Sequence, residues 1–144
     1  MASKSSDPPK QGYLSLQRQY FHLQKHPVEG FSAGLIDDDF FRWSVMIIGP
    51  GDTFYEGGMF KDGNVCVSIL HEPGDDAFGY ESASERWSPV HTVESIIISV
   101  ISMLTDPNDQ SPANIDAAIQ WRNDYSGEFK RRVRASVRKS LDEL

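Results

Sequence analysis

The chain has 144 residues, a formal net charge of −7, 39% hydrophobic residues and 24% charged residues. This composition is typical of one compact soluble domain, and the negative charge argues against a general nucleic-acid-binding protein. We therefore expect no nucleic-acid partner. The longest apolar stretch, residues 96–104, is too short to span a bilayer, so we also expect no membrane span. A single cysteine and a polar N-terminus without a secretory segment predict a cytoplasmic or nuclear location.

The N-terminal part predicts a lead-in followed by an amphipathic helix. Residues 1–11 are polar and contain two adjacent prolines, so we expect disorder there and a single domain over residues 12–144. Four apolar side chains then recur at helical spacing: Tyr13, Leu16, Tyr20 and Leu23. His26-Pro27 should end this helix near Lys25, because the residue before a proline disfavours helical backbone angles.

Extended segments follow this helix. We predict strands over Phe31–Ile36 and residues 43–48, separated by a turn at Asp37-Asp38-Asp39. After a second, glycine-rich turn, residues 54–60 contain Gly57-Gly58. A glycine pair inside an extended segment predicts an interrupted strand or a close approach of two backbones.

The only cysteine, Cys66, lies between a turn and an alternating β-branched run. Asp62-Gly63 is a turn dipeptide, and Val65, Val67 and Ile69 alternate with the residues between them, so the thiol should sit in extended chain near an element end. A lone cysteine is more often a small buried hydrophobe than a nucleophile, so this feature alone favours a structural role. His71, the nearest candidate base, would lie on the opposite face of a continued strand.

The segment between Leu70 and Pro89 has little periodicity and many turn formers, which predicts a long loop. Its acidic residues are Glu72, Asp75, Asp76, Glu81 and Glu85. Loops of this length are often functional, so a solvated insertion and part of an active site are both open interpretations.

Three helices are predicted in the remaining chain. Thr92 is a good N-cap for a core helix, whose apolar stripe is Val93, Ile96, Ile97, Val100, Ile101 and Leu104. Asn114 can cap a short helix over residues 115–121, and a last helix should run over residues 125–141 with Phe129, Val133 and Val137 facing inward. The outer face of that helix is basic, which is most often simply a solvated surface.

Signals for bound metals or cofactors are weak. His22 and His26 have the i, i+4 spacing of two metal ligands, but no HExxH carboxylate or third ligand accompanies them. The chain has no phosphate-binding glycine motif. We therefore expect no metal and no cofactor.

Several stretches are similar to the running pattern of ubiquitin-conjugating enzymes, the E2 family. They are His26-Pro27-Val28-Glu29-Gly30-Phe31-Ser32-Ala33-Gly34, Ile48-Gly49-Pro50, Tyr55-Glu56-Gly57-Gly58, Gly63-Asn64-Val65-Cys66-Val67-Ser68-Ile69-Leu70-His71, Glu85-Arg86-Trp87-Ser88-Pro89-Val90-His91-Thr92-Val93-Glu94, Asp106-Pro107-Asn108 and Ser111-Pro112-Ala113-Asn114. The acidic loop further resembles the G-type, or Ubc7-like, subgroup, which has an insertion after the active cysteine. The resemblance implies an α+β fold with an N-terminal helix, an antiparallel β-meander, a central helix and C-terminal helices.

The resemblance reverses the interpretation of Cys66. It implies that this thiol accepts ubiquitin as a thioester from an activating enzyme (E1), which uses the ATP, and passes it to a substrate lysine with a ligase (E3). A thiolate is a good nucleophile, and a thioester is an activated acyl donor. Asp109 and Ser111 are candidates for orienting the attacking lysine.

Other residues are assigned by the same resemblance. The acidic loop, through Asp75, Asp76 and Glu81, is a second candidate for orienting the lysine. The first helix and the loop Trp87-Ser88-Pro89-Val90 are the expected surfaces for E1 and E3.

One departure from the family pattern concerns the chemistry directly. Residues 57–61 pass straight into residues 62–66, where the family has two further strands, a proline-rich flap and a His-Pro-Asn motif, and Asn64 does not replace the asparagine of that motif. We interpret this as an internal deletion that shortens the meander. Two hypotheses follow: a thioester-carrying E2, or a catalytically impaired, truncated E2-like module that keeps only partner surfaces.

Overall fold

The computed structural model describes residues 10–61, 63, 65, 70, 88 and 90–144. In chain order the elements are α1 (Lys10–Lys25), β1 (Phe31–Ile36), β2 (Asp39–Ile48), β3 (Met59–Phe60), α2 (Val93–Thr105), α3 (Ile115–Asn123), a π-helical turn (Tyr125–Phe129) and α4 (Lys130–Asp142). The three strands form one antiparallel sheet in the order β1-β2-β3. The predicted α+β architecture is confirmed.

Helix α1 ends at Lys25 as predicted, but it begins earlier than the sequence suggested. Lys10 and Gln11 are helical, so the expected disorder is wrong for these two residues, while residues 1–9 lie outside the described residues. Both have long unbranched side chains that favour helices, and a preceding proline is compatible with a helix start. Their polarity reflects their exposure, not a lack of structure.

The hairpin β1–β2 turns on two aspartates. Asp37 and Asp38 both have left-handed backbone angles, with φ of 54° and 56°. Two such residues in succession match the twist of an antiparallel pair, and aspartate tolerates this region better than most residues. The turn is therefore shorter than predicted, and Asp39 already begins β2, four residues before the predicted start at Trp43.

The third strand is shorter than expected. Residues 51–57 form turns, and only Met59 and Phe60 pair with the end of β2. The alternative prediction, a close backbone approach, applies instead: the Gly49 amide donates to the Gly58 carbonyl at 2.8 Å. A Cβ on Gly49 would collide with the carbonyl oxygen of Tyr55, so this position requires glycine.

The core is centred where α1, β1 and α2 meet. Leu23, Phe31 and Ile97 form its buried cluster, and the backbone N–H of Val93 donates to Gln19 Oε1 at 2.9 Å, which ties the start of α2 to α1. Thr92 caps α2 as predicted. Of the predicted apolar stripe of α2, only Ile97 is buried, and the other members are partly exposed. This face therefore has incomplete cover.

Helix α4 covers the outer edge of the sheet at β3. Val133, Val137 and Ser140 lie at i, i+4 and i+7 and are buried. The Ser140 hydroxyl accepts a hydrogen bond from the Met59 N–H at 3.0 Å and donates to the Val137 carbonyl at 2.7 Å. One buried hydroxyl thus satisfies an edge-strand amide that has no strand beside it in the described sheet.

We expect the Ser140→Ala substitution to reduce the free energy of unfolding by about 1–3 kcal/mol, because it leaves the Met59 N–H without its partner. Urea unfolding followed by circular dichroism measures the change. Ser136→Ala is the matched control on the same helix: Ser136 is exposed and its hydroxyl donates to the Arg132 carbonyl within its own helix, so the substitution should change stability by less than about 0.5 kcal/mol. Equal losses in the two variants would contradict this role for Ser140.

The sequence predicted one continuous helix over residues 125–141, but the structure divides this segment into two elements. Tyr125–Phe129 forms a π-helical turn before α4 begins. The Asp124 carboxylate accepts the Glu128 N–H at 2.9 Å, and the Phe129 N–H reaches the Asp124 carbonyl at 3.2 Å, five residues back. The wider turn also brings the Tyr125 ring to 4.8 Å from that of Phe54. This contact between distant residues was not visible in the local pattern.

Candidate functional site

The described structure contains part of the predicted site. Cys66, Asp75, Asp76, Glu81, Trp87 and Pro89 lie outside the described residues. Ser88, Val90, Asp109 and Ser111 are described. The geometry reported below therefore concerns the two loops that flank α2.

The loop before α2 leads directly into the helix cap. The Ser88 carbonyl accepts the His91 N–H at 3.0 Å and closes a turn. Thr92 and Ser95 then form a reciprocal capping box at the first turn of α2. Val90 is 80% exposed, the largest exposed fraction among the large hydrophobic residues of the described chain. The Val90 side chain is therefore accessible to another protein.

This loop and α1 share one surface. A groove of about 500 Å³ separates α1 from the first turn of α2. Its lining residues are Arg18, Gln19, His22, Leu23, Thr92 and Glu94. The hydrogen bond from the Val93 N–H to Gln19 Oε1 joins the two helices beside this groove. The two segments expected to bind partners are thus neighbours.

The loop after α2 is held at both ends. The Asp106 N–H donates to the Ser102 carbonyl at 2.9 Å, and Asn108 Oδ1 accepts the Gln110 N–H at 3.1 Å. Asn114 caps α3 by accepting the Ala117 N–H at 3.0 Å, as predicted. Ser111 lies between these two fixed points and is exposed. Its hydroxyl is therefore presented to solvent on a short, tethered loop.

Asp109 is engaged with α3. Arg122 Nε lies 2.7 Å from Asp109 Oδ2, and Arg122 Nη2 donates to the Asp109 backbone carbonyl. The hydrogen bond from Arg122 lowers the pKa of Asp109 below its usual value, with smaller contributions from Gln110 and from the charge of Arg122. Sequence reasoning singled out Asp109 but not Arg122, because a pair 13 residues apart has no periodic signature.

If the chain transfers an acyl group to lysine, as the family resemblance implies, we expect Arg122→Ala to slow that transfer by no more than about fivefold, because a solvent-accessible ion pair contributes about 0.2–1 kcal/mol. Asp109→Asn should have a similarly small effect if Asp109 acts only through Arg122. Single-turnover transfer to free lysine measures both variants, and the preceding charging step serves as the control that should not change. A much larger loss in Asp109→Asn than in Arg122→Ala would show that Asp109 contacts the lysine directly.

His22 on α1 and His26 just after its end approach each other, with ring centroids 4.9 Å apart. Within residues 10–61 and 90–144 and the few described residues between them, no group of three or more histidine, cysteine or acidic residues is placed to hold a metal. No helix in the described part of the chain is long and apolar enough to cross a membrane.

The model of the family described as "Ubiquitin-conjugating enzyme" matches residues 15–62 and 61–137. Ubiquitin-conjugating enzyme E2 7 of Arabidopsis thaliana is 53% identical over 162 residues, which cover 92% of this chain and 97% of that protein. Ubiquitin-conjugating enzyme E2 G2 of Homo sapiens is 42% identical over 156 residues, covering 88% and 94%.

A solved structure agrees with these sequences. The structure of human ubiquitin-conjugating enzyme E2 G1 is similar with a TM-score of 0.57 and 47% sequence identity, over 70% of this chain and all of that chain. The family match, the level of identity and the similar fold all indicate the same family. The chain belongs to the ubiquitin-conjugating enzyme family and is a transferase of ubiquitin conjugation.

Proposed function

We propose that this enzyme carries ubiquitin as a thioester on Cys66. The observation that carries the proposal is the family match over residues 61–137, because that region contains the only cysteine of the chain. The chemistry implied by the family resemblance needs a thiol, and the chain offers one candidate. A module that only binds partners is the less favoured alternative, since the similar proteins are named as conjugating enzymes.

The two transfers are balanced acyl exchanges. The Cys66 thiolate attacks the thioester carbonyl of E1-bound ubiquitin, and the E1 thiolate leaves. The neutral amine of a substrate lysine then attacks the new thioester carbonyl, the Cys66 thiolate leaves, and the amine loses a proton to form the amide. Charging needs mainly an accessible thiolate, whereas attack by the amine builds negative charge on the carbonyl oxygen, so donors aimed at that oxygen accelerate chiefly the second transfer.

The loop between α2 and α3 supports a role in orienting the lysine. In this proposal the Arg122 clamp on Asp109 limits the movement of the loop, which presents the exposed Ser111 hydroxyl. Asp75, Asp76 and Glu81 would add negative charge that attracts a lysine ammonium before it loses its proton. These roles assign Asp109 to positioning and Ser111 to contact.

The partner surfaces follow from the first helix and the loop around Val90. Their adjacency across the groove supports one continuous docking surface for E1 and, in turn, for E3. The loop Trp87-Ser88-Pro89-Val90 would contribute to this docking surface, as the family resemblance implies. The chain binds no cofactor in this scheme, because ATP is consumed by E1.

The proposed enzyme is a shortened one. The family model matches in two pieces that meet at residues 61–62, and the alignment with the Arabidopsis thaliana relative extends over more residues than the 144 of this chain. Strand β3 also has only two residues, Met59 and Phe60. These observations support a deletion after Lys61 that removes meander strands and the His-Pro-Asn motif.

An omission series tests the carrier function. The purified chain, E1, ATP and ubiquitin should together give an adduct that is seen on a non-reducing gel and lost on treatment with a thiol reductant. Omitting E1 or ATP should prevent the adduct. Circular dichroism and urea unfolding of the same sample show whether it is folded, and a folded sample that never forms the adduct would contradict the proposed function.

A further inference from the structure

Helix α4 carries a concentrated positive charge in an acidic protein. The chain has a net charge of −7, yet the exposed cations of this helix are Lys130, Arg131, Arg132, Arg134, Arg138 and Lys139. The buried residues Val133 and Val137 fix the orientation of the helix, so its outer side must face solvent. Arg131, Arg134 and Arg138 lie at i, i+3 and i+7 on that outer side, over about 10 Å of helix.

Arg134 and Arg138 differ from the other four cations of α4 in the groups that lie near them. Arg131 and Arg132 both reach Glu128, and Lys139 lies 3.7 Å from Glu143. Lys130 lies over the Phe54 ring. In the described part of the chain, no carboxylate is within ion-pair distance of Arg134 or Arg138. Asp142 is on the same side but forms no ion pair with Arg138.

The helix already shows how it binds a carboxylate. Arg131 Nε and Nη2 lie 2.9 and 2.7 Å from the two oxygens of Glu128, the two-pronged geometry that arginine forms with carboxylates. The hydrogen bonds from Arg131 and Arg132 lower the pKa of Glu128 to about 2, so this carboxylate stays charged at neutral pH. Glu128 therefore pairs with Arg131 at the N-terminal end of α4 and leaves Arg134 and Arg138, nearer its C-terminal end, for a carboxylate from another molecule.

We propose that the stripe Arg131, Arg134 and Arg138 docks an acidic peptide segment of a partner protein. Arg134 and Arg138 are four residues apart, about 6 Å along the helix axis. Acidic residues two apart in an extended chain are separated by about 6.6 Å, and those four apart in a helix by about 6 Å, so either form matches the two guanidinium groups. A short peptide also avoids the acidic remainder of the surface, whose field is screened beyond about 8–10 Å at physiological salt.

Fluorescence anisotropy with a fluorescein-labelled hexaglutamate peptide at low salt tests the proposal. The double variant R134E/R138E exchanges two attractions for two repulsions, and since each exposed contact is worth a factor of about 1.4–5, binding should weaken about tenfold or more. The matched control K10E/K25E changes the net charge equally at exposed sites on α1 and should retain most of the binding.

A third variant acts in the opposite direction and cannot be explained by unfolding. Glu128→Gln removes the internal carboxylate that occupies Arg131 and Arg132, so it should strengthen peptide binding several-fold. Equal weakening in R134E/R138E and K10E/K25E, or no wild-type binding at low salt, would overturn the proposal. So would tighter binding to a 12-base-pair DNA duplex or to phosphatidylserine vesicles that depends on the same arginines.

Discussion

Replacing Cys66 with alanine is expected to abolish the ubiquitin adduct completely. The chain has no second cysteine, so no other side chain can form a thioester. The loss should be total rather than graded, because the substitution removes the nucleophile itself. Non-reducing gels of the reaction with E1, ATP and ubiquitin measure the outcome.

Cys66→Ser is the informative companion to the alanine variant. A serine hydroxyl is a weaker nucleophile than a thiolate, but any ester it forms resists thiol reductants. We therefore expect a slower adduct that survives reduction. An adduct that persists unchanged in Cys66→Ala would remove Cys66 from the mechanism, and unaltered urea unfolding of both variants shows that the effects are chemical.

Restoring the absent segment is the second change with a large expected effect. Insertion of the His-Pro-Asn motif with its strands after Lys61 should speed transfer of ubiquitin from the charged enzyme to free lysine by about 100-fold or more, since one oxyanion donor is worth about 100- to 1000-fold. Charging should change less. Acid-to-amide changes at Asp75 and Asp76 should also have smaller effects than the insertion.

The same insertion with its asparagine replaced by alanine separates chemistry from folding. This control restores the strands and the cover over α2 but not the oxyanion donor. We expect it to improve stability without restoring the fast transfer. If both insertions accelerate transfer equally, the benefit comes from the folded sheet, and the argument from the missing donor is wrong.

Helix boundaries were predicted correctly where a cap residue or a proline beside the boundary determines them. Thr92 and Asn114 were identified as caps because each can accept a backbone N–H of the first helical turn, and both do. His26-Pro27 likewise gave the end of α1. The start of β2 was missed because it depends on Asp37 and Asp38 both adopting left-handed angles, which single residues do not reveal.

Contacts between distant residues account for the other differences. The π-helical turn places the Tyr125 ring 4.8 Å from that of Phe54, and α4 covers β3 through a hydrogen bond between Met59 and Ser140, 81 residues apart. In the candidate site, Asp109 was found by resemblance, whereas its partner Arg122 needed the fold. The role of Cys66 stays a prediction from family resemblance and from its being the only thiol.

The most direct test of the account is to map the ubiquitin adduct on the wild-type chain by mass spectrometry. Intact mass before and after hydroxylamine treatment, followed by peptide mapping, identifies both the bond and the residue. The account predicts one ubiquitin per chain, joined to Cys66 through a hydroxylamine-sensitive thioester. A hydroxylamine-resistant adduct on a lysine, or no adduct on a sample shown to be folded, would contradict it.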